Sequence, residues 1–535
     1  MPRLATGEKD LPLVYEGMRN FAGGEDSFRD PIELDPNQCQ KLVNVIVRDK
    51  LKARTRPGAD ALADESTSTP GGANPVQGLA YFDTPALEYL VAAINGHLYT
   101  WNGSAWSSAL AWNYAGSRVT AAQGVDKMLF ADGSGNCQQW DGTTFTDLGD
   151  TNTSPPKGAT IVLWHAGRMW AMGTATAPDT VYASALLDFG PGQWNRTEWS
   201  FRVGGGEGDP IRAAASIQGF TMAIGKENSV WLVETDPQNI PTDYNADQAS
   251  ETVSYGVGIC GRDAWCVYGN DLLFVSPDLQ IRSLRRMAAA AGQWDLSAPL
   301  SEPVQPYIDR INPNYTHLIA VTKYLEFAFF AVPLDSSTVN NSVMVWNGRL
   351  GRWLGVWEGW TPAVWCVTRF SQGIGTTGVS RLVFGDNVGR VNLWKDREAT
   401  DDADTYTDNG DDYATKVWTR SMVFGDLESP KTGFSALVRF NMGEATINFT
   451  GTGSDADLRT WSDPLEPTGS ILGGSDVIGE SGNFTLASDQ PSLLRGSLRG
   501  LPSFSEFYLK IESTAGWWEL RNLTCSARVH PVKIK

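Results

Sequence analysis

The chain has 535 residues and a formal charge of −18, with 61 Asp and Glu against 43 Lys and Arg, so its length excludes a lone small module. Only 19% of residues are charged, and 55 Gly, 28 Pro and 21 Trp punctuate the sequence, a composition that argues against long coiled coils and wholesale disorder. The acidic balance is the reverse of the footprint left by a protein that grips nucleic acid through its phosphates, which disfavours tight, nonspecific DNA binding.

The opening Met1 to Glu8 has no apolar core, and no later run approaches the ~20 residues needed to cross a bilayer. The reading is a chain made in a cytoplasm, with no membrane span. Its six cysteines are scattered with no CxxC pair, which predicts reduced, mostly buried thiols rather than a zinc ribbon or a disulfide framework.

Residues 1–75 carry little periodicity and close on the polar, Gly- and Pro-rich stretch 63–75, so they read as an extended N-terminal arm. From about 76 to 400 one pattern recurs: a short apolar strand, a Gly, Asn or Asp turn, and a second strand that often closes on an aromatic. Seven such units run from Glu88 to Trp101, Lys127 to Phe145, Ile161 to Ser184, Ile211 to Glu234, Val253 to Leu284, His317 to Trp357 and Ala363 to Trp394. A period of about 45 residues suits four-stranded propeller blades. The sharpest repeat is Trp-Asx-Gly followed by another aromatic: Trp101-Asn102-Gly103 with Trp106, Trp140-Asp141-Gly142 with Phe145, and Trp346-Asn347-Gly348 with Trp353. These predict two-residue type I′ hairpin tips with rings meeting across the strands. Unrelated hairpins in a large β-sandwich are the alternative.

Six aspartates, Asp401, Asp402, Asp404, Asp408, Asp411 and Asp412, form a like-charged run expected to stay solvated as a linker. As a calcium loop it fails, because Thr407 stands where a glycine-centred turn would be required. The strand-like segments beyond it predict a C-terminal β-sandwich or jelly roll, with 401–535 as linker and sandwich. The fold class expected is all-β: a β-propeller of about seven blades over 76–400, with the arm before it.

No catalytic, cofactor-binding or metal-ligating residue is assigned, and the chain is not read as an enzyme. Gly256 to Gly261 and Gly373 to Gly378 match GxGxxG, but strands follow each, not the helix a dinucleotide needs. His97, His165, His317 and His530 are isolated, and neither a GxSxG elbow nor a Walker A loop is present. Sialidase-like propellers place the aromatic after the turn, whereas here it precedes it. Trp353, Trp357 and Trp360 suit sugar-stacking platforms in a glycan-binding or glycan-cleaving propeller for host recognition, although core packing is the favoured role.

One charged pattern remains: Arg48, Lys50, Lys52, Arg54 and Arg56 occupy alternate positions. On one extended strand they would share a face spread over about 27 Å. Such a ribbon is an edge strand guarded by cations, or a surface laid on an acidic neighbouring subunit, or on DNA.

The arm also contains Phe21-Ala22-Gly23-Gly24, Asp30-Pro31, Leu34, Asn44 and Arg56-Pro57-Gly58. In this it resembles the opening of the tail nozzle or hub proteins of short-tailed bacteriophages. The resemblance implies a virion tail component with a propeller body, assembled as a six-fold ring beneath the portal and adaptor. Such a ring prolongs the DNA channel, lets DNA pass without tight binding, and carries needle, tip or fibre proteins. Acidic side chains facing its lumen would repel duplex DNA over the 8 to 10 Å that salt leaves unscreened. A cellular scaffold propeller is a third reading.

Overall fold

Short apolar strands bounded by turn formers pair first with their nearest neighbours in sequence, and that rule dominates the computed structural model of the chain. It describes residues 11–48, 50–62, 69–115, 118–204, 208–235, 250–290, 298–368, 380–396, 406–442, 447–453, 463–464, 492–497 and 503–530. These are mostly strand, with short helices such as Leu284–Ala290 and Gln305–Ile308.

Small antiparallel sheets follow one another along the chain. Sheet A holds Val76–Asp83, Glu88–Ile94 and His97–Trp101; sheet B holds Thr120–Gly124, Lys127–Ala131, Gln138–Trp140 and Phe145–Asp147. Sheet C holds Ile161–His165, Arg168–Met172, Thr180–Ala183 and Ser200–Arg202; sheet D holds Ile211–Gln218, Thr221–Lys226, Ser229–Glu234 and Ser250–Tyr255. Sheet E holds Trp265–Tyr268, Asp271–Val275 and Ile281–Ser283; sheet F holds Ala320–Tyr324, Phe327–Val332, Ser342–Asn347 and Arg352–Glu358. Sheet G holds Pro362–Thr368, Arg381–Asp386 and Val391–Trp394. The first strand of each sheet touches the first strand of the next, and that of G touches that of A. The sheets therefore close on themselves in a propeller-like ring. Apolar side chains fill the spaces between neighbours: Phe82, Leu98, Phe130 and Trp140 between A and B, and Met169, Trp194 and Leu129 between B and C.

The hairpin tips are local, but not all are of the expected type. Asn95 and Gly96 both take positive φ (50° and 81°), as a type I′ tip requires. The Trp-Asx-Gly tips are instead four-residue turns. Asp141 Oδ1 accepts the amides of Thr143 and Thr144, and Asn347 Oδ1 those of Arg349 and Leu350, so the Asx side chain caps the turn. The ring pairs do form: Trp140 stacks on Phe145 with centroids 5.8 Å apart, and Trp101 meets Trp106 at 5.5 Å.

Residues 11–48 and 50–62 thread through the rest of the molecule. Leu13–Met18 pairs with Trp518–Val529, Ala53–Thr55 joins the same strand, and Ala59–Ala61 adds an outer strand to sheet G. Gly24–Glu25 lies between Arg352–Glu358 of sheet F and Gln38–Val43, which in turn pairs with Thr415–Thr419. Sheet F thus runs without a break into Thr415–Thr419, Phe507–Ser513 and Ile447–Gly453. A second sheet, built on the long pair Lys431–Met442 and Trp518–Val529, shares one core with it through Val417, Leu509, Ile511, Val438, Leu520 and Leu523.

Candidate functional site: the arm clasp and the axial cavity

The five alternating cations do not form a ribbon. Val45–Val47 and Ala53–Thr55 are two antiparallel strands of one hairpin, Val45 opposite Thr55, so the chain reverses within the pattern. Leu51, at φ 54°, sits in the turn, its amide donating to the Arg48 carbonyl. The cations also turn inward. Arg48 pairs with Asp396 and, through Nε, with Glu326 at 3.0 Å, its guanidinium lying over Phe327 and Trp394. Arg54 lies 3.8 Å from Asp396, and Lys52 Nζ meets Glu519 at 2.8 Å. Lys50 is exposed.

Arg56 is the centre of the arrangement. Its side chain is fully buried, a state an arginine reaches only when its whole fork is satisfied. Nε donates to Asn44 Oδ1 (3.0 Å), Nη1 to Asp408 Oδ1 (3.0 Å) and the Pro57 carbonyl (3.2 Å), and Nη2 to Asp408 Oδ2 (2.5 Å) and the Glu358 carbonyl (3.1 Å). The guanidinium lies 3.9 Å from the Tyr413 ring centroid and 4.8 Å from that of Trp360. Asp408 is therefore not part of a solvated linker; it also accepts from Trp360 Nε1 and the Ala59 amide. Asp411 and Asp412 are exposed, as the charge run predicts, while Asp401, Asp402 and Asp404 lie outside the described residues.

Other arm residues of the resemblance lie along the same seam between sheet F and the C-terminal sheets. Asn44 takes positive φ (55°), donates Nδ2 to the Ala414 carbonyl at 2.8 Å and accepts the Glu358 amide at 2.8 Å. Gly24, at φ 65°, passes so close to sheet F that a Cβ would lie 2.2 Å from the Trp353 carbonyl oxygen. Phe21 is fully buried, and the Pro31 carbonyl accepts the Ser421 amide.

Beside this joint Glu25 is buried 1% exposed, with Oε2 accepting the Leu42 amide at 2.6 Å. Burial pushes its carboxyl up to about 7, against the pull of that amide and of Tyr307, Ser27 and Lys41.

A cavity of about 420 Å³ runs among the first strands of the ring, lined by residues such as Gly78, Thr120, Val162, Thr322 and Trp365. Where those strands begin, two arginines bridge them. Arg118 pairs with Asp263 at 2.5 Å and donates to the carbonyls of Leu318 (2.8 Å) and Ala363 (3.2 Å). Arg262 donates to the carbonyls of Arg118 (3.0 Å) and Thr160 (3.4 Å) and lies 3.5 Å from Asp263. The strand starts of sheets B, C, E, F and G are thereby tied together. Burial alone would raise the Asp263 carboxyl, but Arg262 and Arg118 on either side hold it below the ordinary carboxylate range.

Trp353, Trp357 and Trp360 are core residues, at 2%, 0% and 2% exposure, so none of them offers a sugar platform. No helix follows Gly261, and the Gly373 to Gly378 motif lies outside the described residues. All six cysteines are free. Among the described residues no group of three His, Cys, Asp or Glu is placed to hold a metal ion, and no helix is long and apolar enough to cross a membrane. Sequence reading missed the pairing of the cations with Asp396, Asp408 and Glu519, and of Arg118 with Asp263, because each of these partners lies more than 140 residues away.

No protein-family model and no curated protein matches the chain. Among solved structures, the computationally designed Ika8 protein aligns over 66% of this chain and 96% of its own, with 11% identity and a TM-score of 0.37. BamB from Moraxella catarrhalis aligns over 64% and 97%, with 12% identity and a TM-score of 0.36. The extracellular domain of the putative hybrid two component system BT3049 from B. thetaiotaomicron aligns over 64% and 45%, with 9% identity and a TM-score of 0.37. Likeness at this level carries no functional argument, and the architecture given above rests on the chain's own strand pairing.

Proposed function

We propose that the chain is a structural virion protein, a tail nozzle or hub subunit of a short-tailed bacteriophage. In this reading sheets A to G are the seven blades of a propeller, and the C-terminal sheets form a sandwich. Six copies make a ring below the portal and adaptor that prolongs the genome conduit, helps retain DNA, and bears needle, tip or fibre proteins. Its role is mechanical and not catalytic, and its place is the tail.

One observation carries the proposal. The arm residues that suggest the family, Phe21, Gly24, Asn44 and Arg56, are the joints that weld sheets F and G to the C-terminal sheets. A conduit subunit under packaged-genome pressure needs such a continuous body, and a fully bonded buried arginine resists shear better than exposed ion pairs, which contribute little. Mass spectrometry and electron microscopy of virions purified from the phage encoding the chain test it. Six copies in a ring on the tail axis are expected; absence of the chain, or its presence on peripheral fibres alone, overturns the reading.

A further inference from the structure

We infer that copies of this chain associate head to tail, the hairpin rim of sheets A to D of one copy seating on the Lys41–Trp418–Lys510 row of the next. The inference rests on the ring reading above and names the two faces that would build it.

The rim is unusual in its turns. Alternating strand direction places the first-to-second and third-to-fourth connections of every sheet on one rim. On sheets B and C these turns hold Val125 at φ 56° and Leu187 at φ 56°, both exposed, at 60% and 61%. Positive φ is an outlier for a β-branched or bulky residue, and Asn or Gly would relieve it. The chain uses that solution elsewhere, at Asn95-Gly96 and Gly269. Leu186 stands beside Leu187, whose amide donates to the Gly167 carbonyl of the neighbouring tip, and Phe220 is exposed at the tip of sheet D. Asp83, Asp126 and Asp188 are exposed on the same rim. Strain and apolar exposure kept together point to use, since each is a cost to the lone chain.

The complementary face lies on the C-terminal sheet. Lys41, Trp418 and Lys510 stand directly opposite one another on three adjacent strands, and both ammonium groups sit over the Trp418 ring, at 5.1 and 4.5 Å. Lys416 and Tyr508 share that face by strand alternation, and Glu512 is occupied by Trp418 Nε1. Two like charges held over one ring, on a chain of net charge −18, suit carboxylates brought by a second copy. The C-terminal sheet joins the ring at sheet F, whereas the tips holding Val125 and Leu187 belong to sheets B and C; a further exposed tip at positive φ, Leu325, stands on sheet F itself. A heterologous contact of this kind propagates into a closed ring or a filament.

Sedimentation velocity of the purified full chain tests the inference. The wild type is expected to self-associate. V125N/L187N should raise the dissociation constant about tenfold or more while raising the melting temperature of the dissociated chain by about 2 to 4 °C. K41E/K416E/K510E should weaken assembly similarly, and adding D83K/D126K/D188K should restore it. Wild-type-like assembly by both variants, or loss through one face with no rescue by the swap, overturns the pairing and leaves the ring reading standing. A wild type that stays monomeric at every concentration removes the ring reading itself, and this inference with it.

Discussion

Arg56 and Glu25 lie on the same seam and carry opposite electrostatic consequences. Arg56 is compensated at every donor, so removing it leaves Asp408, only 14% exposed, without its partner. Arg56→Met is therefore expected to cost about 3–5 kcal/mol in denaturant unfolding. Arg56→Lys recovers little, since a point charge cannot reproduce the fork, whereas R56M/D408N regains part by removing the orphaned charge. Unchanged stability in Arg56→Met would show that the clasp holds nothing. Glu25 is the reverse case, a carboxyl raised by burial from 4.5 to about 7. Its contribution is fully present below about pH 4.5 and is lost as pH rises through about 7, because the folded state must then bury a charge that the unfolded chain keeps in water. Glu25→Gln keeps an acceptor for the Leu42 amide and removes that charge. Its stability relative to wild type should grow between pH 5 and pH 8 by on the order of 3 kcal/mol; a difference that does not vary with pH would refute the assignment.

At the level of elements, the Gly24–Glu25 strand shows how little chain is needed to join two bodies. With φ at 65° and the Trp353 carbonyl 2.2 Å from where a Cβ would stand, Gly24→Ala must push the arm away from sheet F. The expected cost is about 1–3 kcal/mol, with faster tryptic cleavage at Arg19 and Arg29 while the ring sheets stay protected; an unaltered digestion pattern would argue against this placement. The same strand marks the limit of what the sequence discloses. Hairpins such as Glu88 to Trp101 were legible because Asn95-Gly96 and the flanking aromatics lie within a few residues of one another. The Asx turns were half legible: the residue types marked a tip, but whether Asn347 takes positive φ or caps Arg349 and Leu350 depends on loop length. The cations misled for a related reason. Alternation from Arg48 to Arg56 mimics one strand, and nothing local announces the reversal at Leu51, or that the carboxylates awaiting those cations come from positions 326, 396, 408 and 519.

Across the whole molecule, the question is whether the ring and the C-terminal sheets behave as one body. Domains joined by an ordinary polar interface move and melt separately. Here one path of strands runs from Ala320–Tyr324 through the arm to Ile447–Gly453, and a single apolar cluster takes in Phe329, Trp357, Val417 and Leu509. Fraying the C-terminal part would strip Arg56 of Asp408 and expose that cluster, so its loss is coupled to the loss of sheets F and G. Calorimetry of the wild type should accordingly give one transition with matching calorimetric and van't Hoff enthalpies. Combining Gly24→Ala with Arg56→Met cuts the strand path and the ion clasp together, and should split the trace into a lower C-terminal melt and a higher ring melt. Two transitions already present in the wild type would mean that the shared sheet transmits no cooperativity, and the mechanical role argued from it would lose its basis.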